Sequence, residues 1–546
     1  MSTATVPRSA DHEHRSALSN DFAGTLYQLR LFARRDRIVL PLWTAALGLL
    51  LPITYVGSIE SVYPTAADRI AFATTTAASP AQIAMYGPIF NASPGAVTIW
   101  KAGALYTIIA LAVILTVIRH TRGEEESGRA ELVESASVGR YSGLTAALLL
   151  AIGAAGLTGV MSAAALIGGG LPVGGSVGFG AALAGSGIVF AGVAAIAAQV
   201  STGARVARGV ALSVLAASFA IRAVGDAGSG VASWFSPQGW SLLLRPYAGE
   251  RWWVLLLHLT TTVVLVGVAF VLLRQRDRGA GLIAERPGPP AATAALAGTL
   301  GLAWRMHRGT VVAWTVGLGL YGLLIGSAAK GIGGQIGDSQ AIVDIIERAG
   351  GPKSLEESFI GFGLTFLGIA GSAFAISAAI RMHGEEAAQR LESVLAGAVG
   401  RTRWAASHVL FALLGPAIAM LVAGLAVGLT YGSATGDIGG TLPGVLAGAL
   451  VQLPAIWLCA GMTVALFGLL PRFTSVAWGV LVTFVLIFIV GSIANFPQPV
   501  RDLEPYSHLP KLPGGEFVAA PIVWLLLLTA ALLTAGLIAL RRRDLT

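Results

Sequence analysis

Read from the N-terminus, the chain alternates long apolar runs with short polar segments. A helix needs about 20 apolar residues to cross a bilayer core, because backbone groups left unpaired in hydrocarbon are prohibitively costly. Such runs fall at 38–57, 99–118, 143–167, 177–200, 209–224 and 252–273, and again at 310–328, 359–380, 404–430, 442–468, 474–494 and 519–540. The pattern predicts twelve membrane-spanning helices and an all-α polytopic protein. The fifth run is the weakest, since Arg222 sits near its end and has to snorkel outward. Residues 20–33 read differently: Phe22, Leu26, Leu29 and Ala33 at helical spacing, beside Arg30, Arg34 and Arg35, predict an amphipathic helix on the inner leaflet. Residues 293–305, with Leu296, Leu300 and Trp304, repeat it more weakly.

The polar segments repeat as well. Residues 123–140 read GEEESGRAELVESASVGR and 384–401 read GEEAAQRLESVLAGAVGR; at a constant offset of 261, nine of eighteen positions are identical. Arg34, Arg37, Trp43 and Thr44 meet Arg305, Arg308, Trp314 and Thr315 at an offset of 271, and Arg274, Arg276 and Asp277 meet Arg541, Arg543 and Asp544 at 267. This predicts a cytoplasmic tail and interfacial helix (1–37), a six-helix half (38–273), a Pro-rich cytoplasmic linker (274–301) and a second half (302–546). Six spans per half keep both copies in the same orientation, so the repeat is parallel and a substrate path is expected between the halves.

Composition narrows the class. Only 12% of the 546 residues are charged and 55% are hydrophobic, against roughly 25% charged in soluble chains, which excludes an ordinary cytosolic enzyme. One cysteine, Cys459, rules out intramolecular disulfides and Cys-rich metal sites. The net charge of +8 is not a nucleic-acid footprint, because the bases are scattered beside apolar helices and suit anionic lipid headgroups. With the N-terminus inside, 26 of the 36 bases fall on inner segments, which predicts cytoplasmic termini in the plasma membrane. The richness in Arg and Ala points to a GC-rich bacterial genome. No cleavable signal is evident, and the first span serves for targeting. All four lysines, Lys101, Lys330, Lys353 and Lys511, fall on outer segments.

The acidic segment is the repeated polar feature closest to chemistry. Glu125 and Arg129, like Glu386 and Arg390, stand at i and i+4 in the favourable order, yet exposed pairs contribute only about 0.3–0.5 kcal/mol. Leu132, Val133 and Ala136 form an apolar edge. The segment is either a solvated loop held helical by its charges or a docking element, and its duplication favours docking. No lysine sits in the G-x-x-x-x-G-K-[ST] context that cradles phosphate, so any ATPase is a separate polypeptide. The histidines (His12, His14, His120, His307, His383, His408, His508 and, inside a span, His258) show no metal-ligand spacing, and His258 is read as bonding a neighbouring helix or threonine. The G-x-S-x-G around Ser176 lies in a Gly-rich outer loop and reads as chance.

The order of features resembles an ABC-2-type permease of the group exporting polyketide antibiotics: interfacial helix, span, long outer loop, span, GEE…E…VGR, four spans and R-x-R-D. SPQGW (236–240), RPYAGERWW (245–253) and RQRD (274–277) carry the likeness in the first half; PYSHLP (505–510), GGE (514–516) and RRRDL (541–545) carry it more loosely in the second. The resemblance implies that Glu124, Glu125, Arg129, Glu131 and Arg140, with Glu385, Glu386, Arg390, Glu392 and Arg401, form coupling helices seated in two copies of an ABC ATP-binding subunit, which would hold ATP and Mg. Ala387, Gln389 and Leu395 depart from Glu126, Gly128 and Glu134, so the two dockings need not be equal. Exporters of G-subfamily shape line their cavity with the second and fifth spans of each half. By that likeness Tyr106, Phe359, Phe362, Phe366, Phe484 and Phe488 wall it; packing among spans or against lipid is the competing reading. The implied function is export of small amphipathic, drug-like compounds. A secondary transporter or lipid-translocating protein is the alternative, disfavoured because every Asp and Glu falls in a loop, a tail or a span end. A membrane enzyme, third, lacks a clustered catalytic set.

Overall fold

In the computed structural model, which describes residues 21–78, 80–134, 138–277, 281–283, 291, 293, 296, 298–329, 355–493 and 497–544, every regular element among the described residues is helical. The chain forms two compact units, Met1–Pro287 and Gly288–Thr546. Eleven helices are long and apolar enough to cross a membrane: Val39–Gly57, Pro94–Glu126, Ser142–Gly168, Val173–Val200, Ala204–Ala227 and Trp252–Gln275 in the first unit, and Thr299–Ala329, Glu356–Ala387, Arg401–Thr435, Ile438–Leu469 and Ala519–Arg542 in the second. These coincide with eleven of the twelve predicted runs, and the protein is a polytopic all-α membrane protein. The run at 474–494 forms a shorter helix, Val476–Ile493, whose described apolar stretch ends at Phe488. The twelve are called the first to twelfth spans below. Half of residues 274–301, the segment 330–354 and the tail 1–20 lie outside the described residues.

In the first unit, 78% of the apolar window of the fourth span is buried, against 22% for the sixth. Its composition explains why. The sequence VGGSVGFGAALAGSGIVFAGVAAIAAQV is small-residue-rich on every face, so neighbours approach closely all round, and close approach is how helices gain packing energy where lipid is as apolar as leucine. At the crossing of the third and fourth spans, a Cβ on Gly159 would lie 2.4 Å from the Gly180 carbonyl oxygen, and one on Gly180 2.3 Å from the Gly159 oxygen. The second unit uses the same device between the tenth and twelfth spans. A Cβ on Gly468 would meet the Gly536 oxygen at 2.1 Å, and one on Gly536 the Val464 oxygen at 2.5 Å.

Four sequence-based expectations change. Arg222 does not reach outward. It is buried, paired with Asp226 at 3.2 Å, donates to the carbonyls of Ala84 and Met85 at 2.7 and 3.0 Å, and lies over the Phe219 ring. The short helix Pro80–Tyr86 thus supplies the polar partners that water was expected to give. Ser176 is not in a loop, because the fourth span begins at Val173; its hydroxyl pairs with the Tyr247 hydroxyl at 2.7 Å. The helix Thr25–Arg35, expected on the inner leaflet, seats on the third span through Gln28 and Phe32, with Leu29 beside them, while Leu26 is exposed. Its seam therefore runs one residue away from the expected stripe. Leu300 and Trp304 form no separate interfacial helix; they are exposed in the first turns of the 31-residue seventh span.

Candidate functional site: the repeated acidic clusters

In the first unit the second span ends in one short helix, Arg122–Glu126, and is followed by another, Arg129–Glu134. Gly128, at φ +70°, makes the turn between them, in the left-handed region where only glycine is unstrained. In the second unit the eighth span runs on to Ala387, and Gln389 takes the same turn at φ +57° before the helix Arg390–Leu395. The reversal changes which acid each arginine meets. Arg129 Nε and Nη2 donate to Glu124 at 3.1 and 3.4 Å, and Arg390 Nε and Nη2 to Glu385 at 2.8 and 3.1 Å. The expected i,i+4 pairs, Glu125 with Arg129 and Glu386 with Arg390, give way to i,i+5 pairs because the helix is broken between the partners.

Glu125 and Glu386 turn inward instead. Glu125 accepts from Arg122 at 2.6 Å and from both terminal nitrogens of Arg276, the longer of these bonds at 3.0 Å. Arg122 is itself buried, with Nε on the Ala198 carbonyl at 2.6 Å, and Arg276 Nε donates to Gln199 at 2.7 Å. Glu386 accepts from Arg543, whose guanidinium lies over the Phe467 ring. Arg140 Nη2 donates to the carbonyls of Leu273, Arg274 and Arg276 at 3.1, 3.1 and 3.0 Å, and Arg401 Nη1 to that of Arg543 at 2.6 Å. Both arginines satisfy carbonyls that a helix C-terminus leaves without intrahelical partners. In each unit the Glu-Glu pair, the VGR arginine and the second arginine of R-x-R-D thus interlock at one end of the bundle. Charge-assisted bonds of this kind are the stronger ones.

The copies differ in their ties. Glu126, absent from the second copy, accepts from the Ala204 amide at 3.2 Å and so holds the start of the fifth span. Glu124 also pairs with Arg35, and Asp36 takes Arg119 and His120, each at 2.7 Å, fastening the helix Thr25–Arg35 to the cluster. At the position matching Asp36 the second unit has His307, which bonds buried His408 at 2.9 Å and stacks on Phe411. These ties were not foreseen, although the repeated R-x-R-D offset marked Arg276 and Arg543 as a related pair. Arg129, Glu131, Leu132, Arg390 and Glu392 remain exposed. The Val133 side chain and Ala136 lie outside the described residues.

The aromatic residues separate into groups. Tyr106 is buried in the first unit against Phe179, and its carbonyl accepts from Ser186. Phe359 packs on the main core of the second unit. Phe362, Phe366, Phe484 and Phe488 gather in a separate cluster with Tyr506; Phe362 and Phe366 are 4.8 Å apart and Phe366 lies 6.3 Å from Phe488. His258 contacts the Ser241 hydroxyl at 3.2 Å and the Val254 carbonyl at 3.3 Å, a packing role on a neighbouring segment.

Residues 296–541 match the C-terminal domain of multidrug efflux system permease Rv1217c. Along 545 residues, covering all of both chains, the protein is 54% identical to the multidrug efflux system permease protein Rv1217c of Mycobacterium tuberculosis (strain ATCC 25618 / H37Rv). Identity at that level over the whole length of both chains means that this chain belongs to the multidrug efflux system permease family.

Proposed function

We propose that this chain is the permease of an ABC-2-type exporter that moves hydrophobic or amphipathic drug-like compounds out of the cell. Hydrolysis of ATP, with Mg, takes place on two copies of a separate ABC ATP-binding subunit. The observation that carries the reading is the build of the acidic clusters. In each unit Glu124 or Glu385 fixes the outer turn while Glu125 or Glu386 ties it to the residues ending the sixth or twelfth span. A push on the exposed side, at Arg129 and Glu131 or Arg390 and Glu392, is then passed to two spans at once. Nucleotide favours one arrangement of the permease only if its subunits bind that arrangement better. The relative's name as a multidrug efflux permease supports the substrate class. In the second unit, Phe362, Phe366, Phe484 and Phe488 are the aromatic wall assigned to the transport path. The protein lies in the plasma membrane with the clusters and both termini on its cytoplasmic side, in keeping with the distribution of bases.

The test uses the exposed acids, which are not tied into the bundle. Glu131→Lys combined with Glu392→Lys is expected to lower co-purification of the ATP-binding subunit and drug-stimulated, vanadate-sensitive ATPase about tenfold, a size typical of losing one charge-assisted contact per site. Thermal stability and membrane insertion should stay as in the parent. ATPase stimulation at the parent level in this double variant would overturn the docking assignment.

A further inference from the structure

At the end of the second unit opposite its acidic cluster lies a small cleft, lined among others by Thr365, Gln452, Phe488, Arg501, Leu509 and Lys511. Thr365 is 20 residues before Glu385 on the same helix, about 30 Å at 1.5 Å per residue. The cleft is distinct from the docking face.

Two cations share this small space. Among the described residues neither Arg501 nor Lys511 forms an ion pair; those of this unit lie at Glu385 and Glu386. The nearby acids of the same loop are committed elsewhere. Glu504 accepts the amides of Tyr506 and Ser507 at 2.6 and 3.0 Å, and Asp502 accepts from Gln498 at 2.7 Å. Burial, and then the charge of Arg501, hold the Lys511 ammonium below its ordinary range. Gln452 is 4% exposed, and its side-chain oxygen has no hydrogen-bond partner. A buried acceptor left unpaired is costly, and so are two like charges brought together; both costs fall when a ligand brings an anion and a donor. Phe488 and Leu509 supply an apolar wall beside the charges.

We infer that this cleft is a binding site for the anionic head of an amphipathic molecule. Arg501 and Lys511 take a carboxylate or phosphate, Gln452 accepts from a hydroxyl or amide of the same head, and the apolar stem lies along Phe488 and Leu509. The head belongs either to a transported compound or to an anionic phospholipid. The first source rests on the export reading above; the site itself does not.

The probe is dodecyl phosphate, with dodecyltrimethylammonium as the cationic counterpart, titrated into the full chain in phosphatidylcholine nanodiscs. Wild type is expected to bind the phosphate and not the ammonium compound. Arg501→Gln and Lys511→Gln should each weaken phosphate binding about tenfold, with Lys511→Arg close to wild type. Equal binding in wild type and both glutamine variants, at unchanged thermal stability, would overturn the site. Native mass spectrometry from phosphatidylglycerol-containing discs separates the sources. Retention of that lipid by wild type and its loss from the variants assigns the site to lipid. No retained lipid, with phosphate binding intact, assigns it to a transported amphiphile. Failure here would leave drug export in cells untouched, whereas loss of the export reading would leave dodecyl phosphate binding in place.

Discussion

Replacing Arg276 by glutamate is expected to destabilise the protein by about 3 kcal/mol, the low end for breaking a buried ion pair. Arg276 is 5% exposed and Glu125 23% at their side chains, which argues for the low end rather than the high one. The change sets two acids against each other and also removes the donor to Gln199. Arg122 stays on Glu125 and offsets part of the loss. Thermal unfolding in detergent, followed by loss of monodisperse protein, reads the effect. The swap, Arg276→Glu with Glu125→Arg, should recover more than half of it, and the same pair of experiments applies to Arg543 and Glu386. A single variant that melts like the parent would show the interlock to be energetically idle. One consequence concerns coupling: reversing Glu125 and Glu386 disturbs the bundle before it disturbs any partner, which is why the docking test is placed on Glu131 and Glu392.

Gly180→Ala should impair folding, while Gly153→Ala on the adjoining span should be neutral or slightly stabilising. The substitution is the same and the surroundings decide the sign. At Gly180 the new methyl meets a backbone carbonyl at 2.3 Å, and a helix backbone cannot turn aside as a side chain can; at Gly153 nothing lies within 4 Å. Overpacking a fitted contact costs about 1–3 kcal/mol, and here the third and fourth spans must separate along their crossing. At an open helical site, alanine is favoured over glycine by up to about 1 kcal/mol. The yield of folded protein and its melting temperature distinguish the two. Equal behaviour of both variants would mean that the crossing is not held by close approach.

Much of the molecule is legible in its amino-acid sequence, and the exceptions lie at particular residues. Hydropathy located the spans because hydrocarbon permits so few alternatives to a helix. The shortest of them, Val476–Ile493, is the case where a run and a helix differ in length. The repeat singled out Glu124, Glu125, Arg140 and Arg276 with their counterparts, yet helical spacing paired Glu125 with Arg129 and Glu386 with Arg390 and gave the others no partner. One left-handed residue, Gly128 or Gln389, moves the partner of Arg129 or Arg390 by one position. Arg222 was likewise recognised as an unusual residue and placed facing the wrong way, since its partners at Ala84 and Met85 are backbone carbonyls more than a hundred residues upstream.

The amino-acid sequence by itself determined that this is a helical membrane protein with a duplicated acidic segment and no phosphate-binding loop of its own, because periodicity, hydropathy and motif spacing are local properties. Only the tertiary structure decided which acids face inward and which remain exposed, which glycines are indispensable, and that Arg501 and Lys511 share one cleft with an unpartnered Gln452. Those outcomes depend on contacts between residues far apart along the chain, where a single turn or a single crossing sets the geometry and no local pattern carries the information.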